Sequence, residues 1–145
     1  MNAAKLYTPD LLALAVELSD HPPLATASVS ARGEARSPAC GSTLALDLAL
    51  DGAGRIEALG LKVQACAVGQ AAAAIFARHA KGRDAVALEA MLHALEHWLA
   101  GAGERPDWPD LHLLDAAQAY PGRHGAILLP WRAALAALST CASAG

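Results

Sequence analysis

The stretch STLALDLALDGAGRIEALGLKVQ, residues 42–64, decides the fold of this chain. In its first half leucine occupies every second position, with Asp47 and Asp51 on the opposite face, which is the period of a half-buried strand. The Asp-Gly-Ala-Gly turn at 51–54 separates this run from a second strand-forming run at 55–64. The stretch therefore predicts two antiparallel strands joined as a hairpin.

The segment before the hairpin predicts one helix and one further strand. Apolar residues follow helical spacing after Thr8, which is the expected cap, and Pro9, which suits the first helical position. A pair of prolines ends this helix, and residues 24–36 then alternate small or apolar side chains with polar ones. Because that alternation has the period of a half-buried strand, we expect the sheet to have three strands.

The segment after the hairpin changes to helical periodicity. One helix is expected to begin after Cys66 and to stop at Gly82, and a second is expected to be capped by Asp84. A short helical piece over 111–119 and a last helix from 123 or 124 to 139 complete the pattern. The apolar side of the helix after Asp84 is expected to comprise Val86, Leu88, Met91, Leu92, Leu95 and Leu99.

The order of these elements, one helix, three strands and then helices, is typical of the α+β class. We predict a three-stranded antiparallel sheet with helices packed mainly on one face, in a single domain of residues 1–145. The opening helix falls within 1–20, the sheet within 24–65 and the helical part within 66–141. Because 54% of the residues are hydrophobic but only 4% are aromatic, we expect a core of aliphatic side chains and alanine rather than large rings.

Composition also argues against several classes of function. The net charge of −3 and the scattered basic residues argue against nucleic-acid binding, which needs a clustered basic surface. No uncharged run reaches the roughly 20 residues of a membrane-spanning helix, and the first residues lack the pattern of a secretory signal. We therefore expect a cytoplasmic protein without a membrane partner. Neither a glycine-rich phosphate loop nor a convincing acid/base pair is present, so we do not expect an enzyme.

The three cysteines, Cys40, Cys66 and Cys141, have the clearest potential for chemistry. A reducing compartment and an odd count argue against a structural disulfide, which leaves the roles of core residue, metal ligand or reactive thiol. Cys40 lies in a Pro/Gly turn that enters the hairpin, and Cys66 lies where the hairpin ends and a helix begins. Since the two hairpin strands are of nearly equal length, we expect both cysteines at the same end of the sheet. They form a candidate pair of thiolate ligands, and the alternative is that each is a small apolar residue in an alanine-rich core.

Other polar pairs carry weaker signals. His93 and His97 share a helix face at i and i+4, a spacing that can hold a metal, although a solvated helix face is the simpler interpretation. Asp47 and Asp51 are interpreted as solvating charges on the outer strand face rather than as an acid/base pair.

Four segments taken in order resemble the U-type iron–sulfur cluster assembly scaffolds, the IscU/SufU/NifU N-terminal family. These segments are SPACGS at 37–42, the hairpin, LKVQACAVGQAAAAIFARHAKGR at 61–83 and RHGAILLPWRAAL at 123–135. The resemblance implies an α+β fold with a three-stranded antiparallel sheet. It also implies cysteines that accept sulfur from a cysteine desulfurase and hold a nascent [2Fe–2S] cluster, or zinc in its place, with iron–sulfur acceptor proteins as further partners. Cys40 and Cys66 match two of these cysteines.

The sequence departs from this family at two positions. Ser42 stands where the family has an aspartate, and Ala126 stands where the family has its third cysteine, the usual sulfur acceptor. Cys141 does not readily replace that cysteine, because fifteen helical residues carry it about 22 Å beyond Ala126. His124, two residues before Ala126, is a candidate metal ligand, and the alternative is a solvent-facing residue near a helix terminus.

These observations favour a scaffold-like protein that binds iron or a labile iron–sulfur cluster through Cys40 and Cys66. His124 or the cysteines of a second protomer would complete the site, and a symmetric homodimer would supply four thiolates. Two alternatives remain open. One is a cluster-free homologue that acts as an interaction partner of a cysteine desulfurase, and the other is a zinc-binding module.

Overall fold

The computed structural model describes residues 6–144 of the chain and the side chains of residues 6–139. Short 3₁₀ helices occur within this part at Leu18–Asp20, Thr26–Ser28 and Leu111–Ala119. The longer elements are α1 (Pro9–Glu17), β1 (Ala31–Arg36), β2 (Thr43–Leu50), β3 (Ile56–Gln64), α2 (Ala67–His79), α3 (Ala85–Leu99) and α4 (Pro121–Ala144).

The three strands form one antiparallel sheet in the order β1-β2-β3. At its centre Leu46 pairs with Gly33 on one side and with Leu61 on the other. The alternate leucines of β2 point to the buried face, as the period of two predicts. The predicted hairpin and the predicted α+β class with a three-stranded antiparallel sheet are therefore confirmed.

The helices cover one face of this sheet. Helix α4 crosses β1 and β2, and α2 and α3 pack against α4. The approach of α4 to β1 is so close that a Cβ built on Gly33 would overlap the carbonyl oxygen of Ala133. On the opposite face of the sheet the chain before β1 crosses part of the surface, since the backbone N–H of Leu24 donates to the Asp47 carboxylate.

The first strand is shorter than the alternation of residues 24–36 predicts. Thr26–Ser28 is a 3₁₀ helix, and the strand begins only at Ala31. The reason is the length of its partner: Ala31 already lies opposite Leu48, and β2 ends two residues later. Residues 24–30 therefore have almost no strand to pair with, and their prediction as strand is wrong.

Large rings do contribute to the core, contrary to the expectation from composition. Phe76, Trp108 and Trp131 are buried, and their ring centroids lie 5.2 to 5.7 Å apart. They come from α2, from the loop after α3 and from α4, so no local sequence pattern shows that they meet. The predicted apolar side of α3 is also wrong at Val86, which is 77% exposed.

The predicted helix starts agree closely with the structure. The side chains of Thr8 and Asp84 accept hydrogen bonds from the backbone N–H groups of Leu11 and Ala87. Helix α4 begins at Pro121, two or three residues earlier than predicted, because proline suits the first turn, whose N–H groups have no helical partner. Among the described residues, no helix is both long enough and apolar enough to cross a membrane.

Candidate functional site

The turns that carry Cys40 and Cys66 lie at the same end of the sheet. Thr43, three residues after Cys40, pairs with Gln64, two residues before Cys66. The hairpin register therefore brings the two turns together, as the near-equal strand lengths predict. The side chain of Cys40 is exposed, whereas that of Cys66 is half-buried and packs against the edge of the hydrophobic core.

The Cys40 turn is closed by two backbone hydrogen bonds. The N–H of Ser37 donates to the carbonyl of Ser42 over 2.9 Å, and the N–H of Gly41 donates to the carbonyl of Ser37 over 2.8 Å. Gly41 has φ +72°, a left-handed conformation that glycine adopts without strain. The closed turn holds the Cys40 sulfur 3.0 Å from the hydroxyl oxygen of Ser42.

Two serine hydroxyls favour the thiolate form of Cys40. The largest cause that lowers the pKa of Cys40 is the Ser37 hydroxyl, followed by the Ser42 hydroxyl and the Ser42 backbone, and the charge of Arg123 adds to them. Ser37 is 1% exposed, and its Oγ has no hydrogen-bond partner within the described part of the chain. Since a hydroxyl proton can rotate, this group is free to donate to a thiolate at Cys40.

Cys66 is the residue immediately before α2. Its backbone carbonyl accepts a hydrogen bond from the N–H of Gln70, and its side chain makes no capping hydrogen bond. The side-chain amide of Gln70 donates to the carbonyl of Ala65, which fixes the backbone just before the cysteine. The backbone around Cys66 is therefore held by two hydrogen bonds from Gln70, and the sulfur is not used to cap the helix.

The start of α4 lies between the two cysteine turns. A Cβ built on Gly125 would overlap the Ser37 hydroxyl, so α4 packs directly on the Cys40 turn. A Cβ built on Gly69, in the first turn of α2, would lie 3.1 Å from the Cβ of Ala126. Ala126 is completely buried and supplies only a methyl group at this position. The position where the resembled family has a third cysteine is thus a buried methyl group close to Gly69, and it carries no ligand atom.

His124 is half-buried, and its imidazole is hydrogen-bonded to the backbone. Its Nε2 lies 2.8 Å from the carbonyl oxygen of Gln118. Because a carbonyl can only accept, Nε2 carries the proton, and Nδ1 is the atom left with a free lone pair in the neutral ring. Ligand histidines commonly have this arrangement, in which the second nitrogen donates to a carbonyl.

The candidate residues do not form a preassembled metal site. Among the side chains that the structure describes, no three or more His, Cys, Asp or Glu residues form a group that could hold a metal ion. The side chain of Cys141 lies outside the described residues. His93 and His97 are exposed on α3, and His93 Nε2 is 4.0 Å from a carboxylate oxygen of Glu89.

Sequence reasoning missed two contributions at this end of the molecule. Ser37 was not singled out, although its place at the start of a closed turn is a signal for an inward-facing hydroxyl. Arg123 was considered only as the first residue of the last motif, yet its charge acts on Cys40 and its guanidinium donates to the Tyr7 hydroxyl over 3.1 Å.

The two outer-face aspartates have structural roles. The carboxylate of Asp47 accepts from Arg32 and from the N–H of Leu24, so it ties the chain before β1 to the sheet. The carboxylate of Asp51 accepts from the N–H groups of Ala53 and Arg55 and closes the hairpin turn. Neither residue belongs to the cysteine end of the sheet.

Comparison with known proteins points in one direction. No family model matches the sequence, and no curated protein is significantly similar to it. Among solved structures, a NifU-like protein (N-terminal) from Brucella abortus is 26% identical in sequence to this chain and superposes with a TM-score of 0.86. The match covers 97% of this chain and 96% of the Brucella chain. The structure of a proposed iron–sulfur cluster assembly scaffold protein for the SUF system from Fervidobacterium islandicum is 21% identical to this chain, with a TM-score of 0.78. That match covers 94% of this chain and 99% of the Fervidobacterium chain. The resemblance to U-type scaffolds is thereby confirmed at the level of structure.

Proposed function

We propose that this chain is a scaffold for iron–sulfur cluster assembly that holds iron or a labile cluster, such as [2Fe–2S], through Cys40 and Cys66. One observation carries the proposal: the exposed Cys40 and the half-buried Cys66 lie at the same end of a sheet whose fold matches a NifU-like structure with a TM-score of 0.86. Thiolates are the ligands that such clusters require. Rigid turns on two different elements hold both cysteines, which suits a site that receives cargo.

Cys40 is the residue we assign as the sulfur acceptor. Its thiolate would attack the outer sulfur of a persulfide on a cysteine desulfurase, and the sulfur–sulfur bond of that persulfide would break. The desulfurase cysteine leaves as a thiolate, and Cys40 becomes the persulfide. Exposure of the side chain and the lowered pKa of the thiol both favour this step, because the attacking species is the thiolate.

His124 is the candidate third ligand. Its Nε2 is hydrogen-bonded to the Gln118 carbonyl, and no group of three ligands exists among the described side chains. To bind a metal with the two cysteines, the imidazole would have to give up this hydrogen bond and turn toward them. Two thiolates and one imidazole also suit zinc, which takes such mixed ligand sets. Zinc in place of iron is therefore an alternative occupant of the same residues.

The proposed role is binding and transfer rather than enzymatic turnover. The partners are a cysteine desulfurase as sulfur donor, proteins that accept the finished cluster, and a second copy of this chain. We place these events in the cytoplasm, where a reducing environment keeps the thiols of Cys40 and Cys66 available.

The test is the metal and acid-labile sulfide content of protein purified without oxygen, read together with its ultraviolet–visible spectrum. We expect iron and sulfide in the wild type and in a Cys141→Ser control, and their loss in the Cys40→Ser/Cys66→Ser double variant. Equal iron and sulfide in the double variant and the wild type would overturn the proposed site. Zinc without sulfide, lost in the same double variant, would instead identify a zinc-binding module.

A second candidate is a cluster-free homologue that binds a cysteine desulfurase. The observation that favours it is the lack of a third ligand atom at Ala126, together with the absence of a three-ligand group among the described side chains. This candidate predicts a stable complex between the metal-free protein and the desulfurase, without transfer of radioactive sulfur to Cys40. Sulfur transfer to Cys40 that is lost in Cys40→Ser would exclude it.

A further inference from the structure

The sheet face opposite the helices is covered only in part. The N–H of Leu24 donates to the Asp47 carboxylate over 3.1 Å, and a Cβ built on Gly60, which pairs with Asp47, would overlap the Pro22 carbonyl oxygen. Residues 22–24 therefore cross this face at Asp47 and Gly60. Between this crossing and the cysteine turns, the outward side chains of β1 and β3 are exposed.

This open part of the sheet has the shape of a trough. Its floor is formed by two small residues of β2, Thr43 and Ala45. Paired residues of neighbouring strands point to the same face. The walls are therefore the longer side chains that pair with this floor, Glu34, Arg36, Lys62 and Gln64. These residues line an open cavity of about 440 Å³, a volume within the range of about 300–1,000 Å³ that small-molecule sites have.

Three charged side chains in the walls have no partner of opposite charge. Glu34, Arg36 and Lys62 take part in no ion pair among the side chains that the structure describes. Arg32, on the same face of β1, is by contrast paired with Asp47 over 3.0 Å. Since neighbouring strands are about 4.8 Å apart, the backbones of Glu34 and Lys62 lie about 10 Å apart across β2, and Arg36 lies about 7 Å along the strand from Glu34. The trough therefore presents two cations and one anion to solvent at separate points.

We propose that the trough binds a short peptide that carries two carboxylates and one amino group. One carboxylate lies on the guanidinium of Arg36, which can hold it through two parallel hydrogen bonds, and the other lies on the ammonium group of Lys62. The amino group lies on the carboxylate of Glu34. Thr43 Oγ1 and Gln64 Oε1, 3.4 Å apart in the middle of the trough and at its wall, offer hydrogen bonds to the peptide groups between these ends.

The spacing of the charges sets the length of the ligand. Three extended residues span about 10 Å, which matches the distance between the walls, whereas one residue spans only about 3.5 Å. A free amino acid such as glutamate therefore has the right charges but does not reach both walls. Binding here does not depend on the scaffold function, since none of these side chains belongs to the cysteine turns.

The probe is S-methylglutathione, a tripeptide with two carboxylates, one amino group and no free thiol that could react with a cysteine. Isothermal titration calorimetry with the metal-free, reduced protein at low ionic strength measures the affinity, and the shifts of backbone amide signals in NMR spectra locate the site. We expect one molecule per chain, with the largest shifts at residues 34–36, 43–45 and 62–64. Glutamate lacks the length and triglycine lacks the second carboxylate, so both should bind more weakly than the probe.

Arg36→Gln and Lys62→Gln should each weaken binding of the probe by about two- to five-fold, the range for exposed ion pairs, and the double variant should weaken it more than either. Arg55→Gln is the matched control, because it removes the same charge from an exposed arginine at the hairpin turn, the far end of the sheet, and it should leave binding unchanged. Three results overturn the inference: no binding of the probe, equal losses of affinity in Arg36→Gln and Arg55→Gln, and largest shifts outside the trough. None of these results bears on the scaffold function, which is tested at Cys40 and Cys66.

Discussion

Cys40 differs from an ordinary surface thiol through three neighbours. The hydroxyls of Ser37 and Ser42 and the charge of Arg123 all favour its thiolate, and the Ser37 hydroxyl is the largest cause of the lowered pKa. Ser37 is buried against α4, so its orientation is set by packing rather than by solvent. The reactivity of the thiol therefore depends on how α4 sits on the turn.

Replacement of Ser37 by alanine should raise the pKa of Cys40 toward the usual value of a thiol, about 8.5, because the main donor to the thiolate is lost. The measurement is the pH dependence of alkylation by iodoacetamide in metal-free protein that also carries Cys66→Ser and Cys141→Ser. We expect slower alkylation of Ser37→Ala at neutral pH and equal rates at high pH, where both thiols are ionised. Ser42→Ala should act in the same direction with a smaller effect, and identical profiles for all three proteins contradict this account.

The position of an individual residue could be predicted only where the local sequence pattern determines it. The placement of Cys40 and Cys66 at the same end of the sheet could be predicted, because a hairpin with equal arms brings its two ends together. The contact of Ser37 with α4 could not, since about ninety residues separate Ser37 from Gly125. The hydrogen bond of His124 to the carbonyl of Gln118 also depends on tertiary placement and has no signal in the sequence.

Among the elements, the contact of α4 with β1 positions the candidate site. Helix α4 carries both Ala126 at the site and Ala133 against the first strand. The absence of a side chain at Gly33 lets the backbones approach closely. Any change that lifts α4 from the sheet at Gly33 therefore also disturbs its contact with the cysteine turns.

Replacement of Gly33 by alanine should destabilise the fold by about 1–3 kcal/mol, the usual cost of overpacking a core. The new Cβ would overlap the Ala133 carbonyl oxygen and would lie 2.6 Å from the Ala137 backbone nitrogen, so α4 must move. The measurement is the free energy of unfolding from urea denaturation. Gly52→Ala is the matched control, since a Cβ there meets no atom within 4 Å, and it should change stability by less than about 0.5 kcal/mol. Equal effects of the two substitutions would show that α4 and β1 are not tightly packed.

The helices and strands that could be predicted from the sequence were those in which apolar residues recur at a regular spacing. The alternation of leucines predicted β2, and capping side chains at Thr8 and Asp84 predicted the starts of α1 and α3. The alternation in residues 24–30 predicted a strand that does not form, because pairing depends on the length of a neighbouring strand and not on the segment itself.

For the molecule as a whole, three aromatic rings connect its separate parts. Trp108 stacks on Phe76 of α2 and meets Trp131 of α4 edge to face, and its indole N–H donates to the Ile75 carbonyl over 3.1 Å. The guanidinium of Arg83 lies 3.8 Å from the centre of the Trp108 ring. The loop after α3 is thereby anchored to the same two helices that form the candidate site.

Replacement of Trp108 by alanine should cost about 3–5 kcal/mol of unfolding free energy, as for other large buried rings. This is a large share of the 5–15 kcal/mol that is typical of a whole domain, so urea denaturation should show a much earlier transition. Trp108→Phe keeps a ring in place but removes the indole N–H that donates to the Ile75 carbonyl. Loss of this hydrogen bond should lower the free energy of unfolding by about 1 kcal/mol, and the smaller ring should lower it further through lost packing. Val86→Ala is the control for loss of an apolar side chain, because Val86 is 77% exposed and its truncation should change little. If Trp108→Ala were no more destabilising than Val86→Ala, the aromatic cluster would not hold the loop to α2 and α4.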